Sequence, residues 1–220
     1  MLTVHHLNNS RSQRVLWLLE ELGVPYELVK YERDPKTMLA PPELEKIHPL
    51  GKSPVVTDGE DTLAESGAIL EYLVDQYGDG RFVPSRGSKE YLRCRYWMHY
   101  AEGSLMPFLL MKLVFGRVKT AKVPFFVKPI AKKIASQVES TFIDPNLARH
   151  VAFLDGELAK SKWFAGEDMT VADFQMLYPM EAIAARWPDP PARITDWVER
   201  AHARPAFKRA EEKGGKNEVF

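Results

Sequence analysis

Three short stretches carry side chains whose types and spacing suit chemistry on an anionic, peptide-like small molecule. The first is Asn8-Asn9-Ser10-Arg11-Ser12-Gln13-Arg14, a polar run between a strand pattern and a helix pattern. Helix N-termini carry unpaired N–H groups and a partial positive charge, so an anion beside Ser10 is stabilised and a hydroxyl there donates one further hydrogen bond. The plainer reading makes Ser10 or Ser12 a helix cap. The second is Lys52-Ser53-Pro54, where a proline opens a strand. Proline has no N–H for the ladder and is tolerated there, and a cis Ser53–Pro54 bond, against the commoner trans form, turns the Ser53 backbone toward an extended ligand. Lys52 is either a compact cation for a carboxylate or a solvated surface lysine. The third is Ala64-Glu65-Ser66-Gly67, a second strand-to-helix junction. An amino acid's carboxylate meets Ser66 and the helix-start amides there while Glu65 pairs with its ammonium, or Glu-Ser is an ordinary cap.

These stretches sit on a regular succession of elements. Leu2–Leu7 reads as a strand, and Val15, Leu18, Leu19 and Leu22 recur at helical spacing until Gly23-Val24-Pro25. A second strand follows at Tyr26–Tyr31, then a Pro-rich loop. Pro54–Thr57 and Thr62–Ala64 flank Asp58-Gly59, a strong hairpin signal, and Ser66 caps a helix to Tyr77 with Ile69, Leu70 and Leu73 on its apolar side. Gly78-Asp79-Gly80 and Pro84-Ser85-Arg86-Gly87-Ser88 then cluster structure-breaking residues, which puts a linker at 79–87 between domains 1–78 and 88–220. Beyond it the periodicity is helical, clearest at Tyr91–Phe115, Ala148–Ala159, Val171–Ala185 and Ile194–Ala201. Thr170-Val171-Ala172-Asp173 is a capping-box variant, with Met169 and Phe174 at staple positions. The fold class is therefore α+β: βαβ, a loop and ββα, followed by an all-α half.

Composition narrows the function. The 220 residues hold 30 Lys+Arg and 30 Asp+Glu, a formal net charge of zero, which argues against a nucleic-acid binder. Residues 1–78 carry 7 Lys/Arg against 13 Asp/Glu, and the remainder 23 against 17. One cysteine, Cys94, excludes an intrachain disulfide framework and a Cys-rich zinc module; inside a helix among aromatic residues it reads as a buried structural thiol. His5 and His6 point to opposite faces of a strand and form no metal pair. No stretch spans a membrane and no secretory pattern opens the chain, so a cytoplasmic protein is expected. Lys112–Lys133 holds seven basic residues and no acid: an anionic membrane contact, a lid over a pocket, or a solvated insertion. Leu105–Phe115, with Met106, Phe108, Met111 and Phe115, is either core or a wall for hydrophobic ligands.

Taken in order, the three motifs, the linker and the Thr170–Phe174 box resemble the glutathione transferase family along the whole chain. The resemblance implies a thioredoxin-like N-terminal domain that binds glutathione as co-substrate, without a metal, and a helical domain supplying most of the second-substrate pocket. It implies Ser10 as the catalytic hydroxyl facing the sulfur, four residues before Arg14 as in theta-like serine classes, with Ser12, Asn8 and Asn9 as rivals. It further implies contacts by Lys52 to the glycyl carboxylate, by the Ser53 backbone beside a cis Pro54 to the cysteinyl unit, and by Glu65 and Ser66 to the γ-glutamyl end. The family's further contact, from the loop after the second strand, has no recognisable counterpart in Asp34-Pro35-Lys36-Thr37-Met38, where Lys36 is no more than a guess. The activity implied is thiolate attack on hydrophobic electrophiles or peroxides by a homodimeric enzyme. The alternatives are a non-catalytic interaction or chaperone module and a specialised glutathione-dependent lyase, isomerase or dehalogenase.

Overall fold

A computed structural model describes residues 1–217. Four strands form one mixed sheet in the order β2-β1-β3-β4: β1 (Leu2–Leu7), β2 (Glu27–Tyr31), β3 (Val55–Asp58) and β4 (Asp61–Ala64). β1 runs parallel to β2 and antiparallel to β3, with His5 opposite both Val29 and Val55. The parallel pair requires a crossover, supplied by α1 (Ser12–Leu22). Gly23 ends that helix at φ 68, a conformation that a residue without a Cβ adopts freely, and its N–H closes on the Leu19 carbonyl. The chain then forms α2 (Glu43–Ile47), the β3–β4 hairpin and α3 (Ser66–Tyr77), whose Tyr72 and Tyr77 hydroxyls both donate to the Asp58 carboxylate at the hairpin.

The rest is helical: α4 (Lys89–Tyr100), α5 (Met106–Lys119), α6 (Lys128–Val138), α7 (Asp144–Leu158), α8 (Val171–Arg186), α9 (Ala192–His202) and α10 (Pro205–Gly214). One π-type turn, Ala101–Leu105, joins α4 to α5, and another, Glu139–Ile143, joins α6 to α7. In each case a proline, Pro107 or Pro145, stands six residues after the turn's first residue. Its missing N–H releases a carbonyl from the α-helical ladder, which favours the wider turn. The single helix expected over Tyr91–Phe115 is thus two helices with a change of phase between them. The sequence pattern also passed over α2, α6 and α10. α2 is five residues long, and α10 buries only Ala206, Phe207 and Ala210.

The two halves pack as one body around α1, whose residues are nearly all buried. The segment before α8 is tied down at Phe82, whose carbonyl accepts from Val171 N at 2.8 Å and whose ring meets Phe174 edge-on at 5.2 Å. Asp173 closes the expected capping box and also accepts from Phe164 N at 3.0 Å; burial pushes its carboxyl up to about 6 despite those donors. On the other side of α1, α10 is clamped by Glu20, which takes Arg209 at 3.0 Å and Lys213 at 2.5 Å, and by Glu21, which takes Arg204.

Gly214, at the end of α10, comes so close to α1 and β1 that a Cβ there stands 2.5 Å from Leu16 Cδ1, 2.9 Å from Gln13 Oε1 and 3.1 Å from His6 Cε1. All three neighbours are buried and have little room to yield. Gly214→Ala is expected to cost about 1–3 kcal/mol, an overpacking penalty. Each kcal/mol lowers the melting temperature of a chain this size by roughly 2–4 °C. A thermal melt unchanged by the substitution refutes this account of the contact.

Candidate functional site

The site is built where β1 turns into α1. Asn9 takes a left-handed conformation, φ 52, which asparagine tolerates and which reverses the chain after the strand. The turn is held from below by Arg33: its backbone N–H donates to Asn8 Oδ1 at 2.9 Å, and its guanidinium to the carbonyls of Asn8, Asn9 and Met38. Asn8 is thereby committed to the turn through both of its oxygens. The first-turn amides of α1 are not free, contrary to the sequence reading. Ser12 N donates to Ser10 Oγ at 3.2 Å, Gln13 N to the Ser10 carbonyl at 3.4 Å and Arg14 N to the Arg11 carbonyl at 3.2 Å.

Side chains carry the polarity instead. Ser10 Oγ lies 2.7 Å from Ser12 Oγ, which lies 2.8 Å from His6 Nδ1; the far nitrogen, His6 Nε2, is 2.9 Å from the Gly214 carbonyl. A carbonyl only accepts, so His6 keeps its proton on Nε2 and presents a lone pair at Nδ1. Ser12 donates to that lone pair in preference to the Leu7 carbonyl at 3.3 Å, and Ser10 in turn donates to Ser12. Ser12 is fully buried in this relay and faces inward.

The second motif arrives from 43 residues away: Ser10 Oγ donates to Ser53 Oγ as its alternative acceptor at 3.5 Å. Ser53 donates its own proton to the His5 carbonyl at 3.0 Å and accepts from Leu7 N at 3.2 Å, so its side chain fastens its loop to β1. The Ser53–Pro54 bond is cis. Lys52 beside it is exposed and without an ion-pair partner among the described residues.

The third motif is joined through Arg14. Its Nη1 stands 2.9 Å from Ser66 Oγ, 2.7 Å from Glu102 Oε1 and 3.0 Å from Gln175 Oε1, while Nε and Nη2 are buried without partners. Ser66 begins α3 but does not cap it; its oxygen accepts from Arg14, which leaves its proton to donate elsewhere. Glu65, at φ 69 and ψ 116, takes a strained backbone conformation for a residue with a Cβ, and its side chain is exposed. Burial lowers the Arg14 pKa and Glu102 opposes that; burial would raise the Glu102 carboxyl, but Arg14 and Arg11 outweigh it and hold it below its usual range. Arg11 reaches the same carboxylate at 2.9 Å, and both guanidiniums lie over the Tyr178 ring, at 5.1 and 5.6 Å.

Beyond Arg11 opens a cavity of about 600 Å³, walled by Met106, Leu109, Leu113, Tyr178 and Trp187 among others. Within Leu105–Phe115, read as core or wall, Met106, Leu109, Leu110 and Leu113 line the cavity, whereas Phe108, Met111 and Phe115 pack against the core. The π-type turn before α5 rotates that helix relative to an unbroken one. Among the described residues no three His, Cys, Asp or Glu side chains gather to hold a metal ion.

Known proteins match this architecture from end to end. The family models "Glutathione S-transferase, N-terminal domain" and "C-terminal domain" match residues 1–75 and 118–205. Glutathione S-transferase 3 of Schizosaccharomyces pombe is 39% identical over 216 residues, covering 97% of this chain and 88% of its own length. The chain belongs to the glutathione S-transferase family. Glutathione S-transferase 1 of Saccharomyces cerevisiae is 30% identical over 223 residues, 97% of this chain and 95% of its own. The crystal structure of a glutathione S-transferase from Actinobacillus pleuropneumoniae superposes with a TM-score of 0.81 at 30% identity, over 100% of this chain and 97% of that one. A Phanerochaete chrysosporium glutathione transferase, solved with oxidized glutathione, gives 0.74 at 25%, over 98% and 97%. The thioredoxin-like N-terminal half and the helical C-terminal half of this transferase agree with the fold read from the sequence.

Sequence reasoning missed Glu102 and Gln175. Glu102 is the last acid before a long acid-free run, the one signal that marked it. Removing it strands a buried guanidinium, so Glu102→Gln is expected to destabilise the transferase by about 3 kcal/mol, the low end for a broken buried pair because Glu102 is partly open to solvent. Chemical denaturation checks this; a loss below about 1 kcal/mol would place Glu102 with ordinary surface ion pairs. His6 gives a pH signature. Burial pushes its pKa from 6.5 down to about 4, so between those values the folded state binds fewer protons than the unfolded one and stability falls as pH falls. The loss reaches about 3 kcal/mol. Comparison with His6→Gln by urea unfolding near pH 7 and pH 4.5 isolates this contribution, and parallel losses in the two proteins refute it.

Proposed function

We propose that this glutathione S-transferase holds glutathione across the three joined motifs and activates its sulfur at Ser10 for attack on hydrophobic electrophiles or peroxides. The convergence of Ser10, Ser53 and Ser66 on one end of α1, with the apolar cavity just past Arg11, carries the reading. In this reading Ser66 and Glu65 take the γ-glutamyl carboxylate and ammonium, the Ser53 main chain pairs with the cysteinyl unit, and Lys52 meets the glycyl carboxylate. The glutathione-bound relative from Phanerochaete chrysosporium supports that ligand.

The thiolate is the nucleophile, and a free thiol has a pKa near 8.5, so lowering it by about 2 units takes about 2.7 kcal/mol of preferential thiolate stabilisation. At rest the Ser10 proton is drawn toward Ser12. An arriving anion redirects it outward while Ser12 N–H keeps the oxygen in place, and the charge of Arg11 and Arg14 one turn away adds to the field. Ser10 acts as a donor and never ionises. The sulfur attacks an electrophilic carbon and the leaving group departs with its electron pair, or it attacks a peroxide oxygen, forming an S–O bond as the O–O bond breaks, and the departing alkoxide keeps that electron pair and takes a proton from water. The electrophile lies in the cavity of about 600 Å³. The division at residues 79–87, the cytoplasmic location and the homodimer belong to the same proposal; exposed Leu92 and Tyr96 on α4 support a second copy there.

Ser10→Ala is expected to cut kcat for an aryl halide roughly 100- to 1,000-fold, as loss of one oxyanion-type donor does, while the Kd for glutathione changes little. The bound thiol's pKa, followed by thiolate absorbance, rises in the variant. Unchanged turnover would remove the sulfur-facing role from Ser10, and calorimetry without any glutathione binding would favour an interaction module.

A further inference from the structure

Gly103–Val138 contains seven Lys or Arg and no Asp or Glu, in a chain whose formal net charge is zero. Lys112 and Lys119 are neutralised locally by Glu139 and Asp144. Arg117, Lys122, Lys128, Lys132 and Lys133 are exposed and have no hydrogen-bond or ion-pair partner for their side chains among the described residues. The same tip exposes large apolar groups: Phe125 at 88%, Phe126 at 64%, Ile130 at 59% and Ile134 at 58%. The two phenyl rings meet edge-on at 5.6 Å.

The spacing on α6 is ordered. Ala135 and Val138 turn inward against the body. Ile130 and Ile134, one turn apart, form an exposed apolar stripe, and Lys128 and Lys132, also one turn apart, form a charged stripe with Lys133 on the outer face. None of residues 121–138 lines the large cavity, whose wall along α5 ends at Thr120 just past that helix, so the segment does not cover that pocket as a lid. No helix is long and apolar enough among the described residues to cross a membrane.

We propose that this tip, Lys122–Ile134, docks on the surface of an anionic lipid bilayer. Phe125, Phe126, Ile130 and Ile134 enter the boundary between headgroups and acyl chains while the lysines pair with anionic headgroups. A soluble polyanion engages the lysines but leaves the four apolar groups in water. A second copy seated tip to tip brings two unneutralised lysine clusters together, which repel. A bilayer satisfies both halves of the surface.

The test is sedimentation of the full chain with vesicles of phosphatidylcholine containing roughly one-third phosphatidylglycerol, against vesicles of phosphatidylcholine alone, at low and high salt. Binding is expected on the anionic vesicles only, weakened by salt. Lys128→Gln, Lys132→Gln and Lys133→Gln together reduce the partition coefficient roughly a hundredfold, at about fivefold per lysine. Phe125→Ser with Phe126→Ser reduces it by at least about tenfold, from the apolar area withdrawn. These side chains are exposed, so both variants retain the wild-type melt and conjugation of a soluble electrophile. Absence of binding to anionic vesicles, or equal binding to neutral ones, overturns the proposal. Full binding by the phenylalanine variant overturns it in favour of a site for soluble polyanions. A change of oligomeric state in that variant, seen by light scattering, overturns it in favour of a contact between copies.

Discussion

A single buried cation organises this molecule. Arg14 is fully enclosed, and its guanidinium is shared among α3 through Ser66, α8 through Gln175 and the turn after α4 through Glu102. Enclosing such a charge costs several kcal/mol unless an anion is delivered to it. Glu102 is delivered by a helix that departs from α geometry at that point. The candidate site therefore belongs to neither half of the chain alone: Ser10 and Ser53 come from the sheet side, and the anion that holds Arg14 beside Ser66 comes from the helical side. The two unpaired nitrogens, Nε and Nη2, show that even this arrangement is incompletely satisfied. That is the kind of cost found where geometry serves something other than stability.

The turn into α1 shows how a general rule yields to local chemistry. A helix N-terminus attracts anions through unpaired N–H groups, yet here Ser12, Gln13 and Arg14 spend theirs on oxygens of Ser10 and Arg11. What the turn offers an incoming anion is a hydroxyl whose proton has two acceptors within reach and a pair of guanidiniums close behind it. His6 sets the direction of that proton at rest, because its own is claimed by the Gly214 carbonyl 208 residues away. Position along α10 is thus felt at Ser10, through Gly214, His6 and Ser12.

What the sequence displayed and what it hid follow the range of the forces involved. Strands β1, β3 and β4 and helices α1 and α3 are encoded locally, by alternation, by Gly23 and by the Asp58-Gly59 turn, and they stand within a few residues of where the pattern put them. Ser10, Ser53 and Ser66 were visible because each lies at a junction between such elements. Glu102, Gln175 and His6 were not, since their roles exist only after α8, α10 and the bent α4–α5 helix have packed. The cavity wall came from the expected stretch but from other side chains, for the same reason. An unbroken helix from Tyr91 aims Phe108, Met111 and Phe115 one way, and the π-type turn forced near Pro107 aims Leu109 and Leu113 there instead.

The division of charge ties these parts together. With a net charge of zero, every unneutralised cation at the α5–α6 tip implies an acidic surplus elsewhere, and much of it lies in residues 1–78. The tip is therefore a cationic patch that a net charge of zero conceals, and such a patch is attracted to a negatively charged surface whatever the net charge. α5 spans the distance between the two features: Met106 to Thr120 wall the cavity on one side, and the chain leaves that helix directly for Phe125 and Phe126. Docked by that tip, the transferase presents an apolar cavity close to the phase in which apolar electrophiles concentrate. The proposed glutathione site, on the sheet side of Arg11, stays with the water-soluble co-substrate. One helix can then serve two solvents because its two ends answer to different ones.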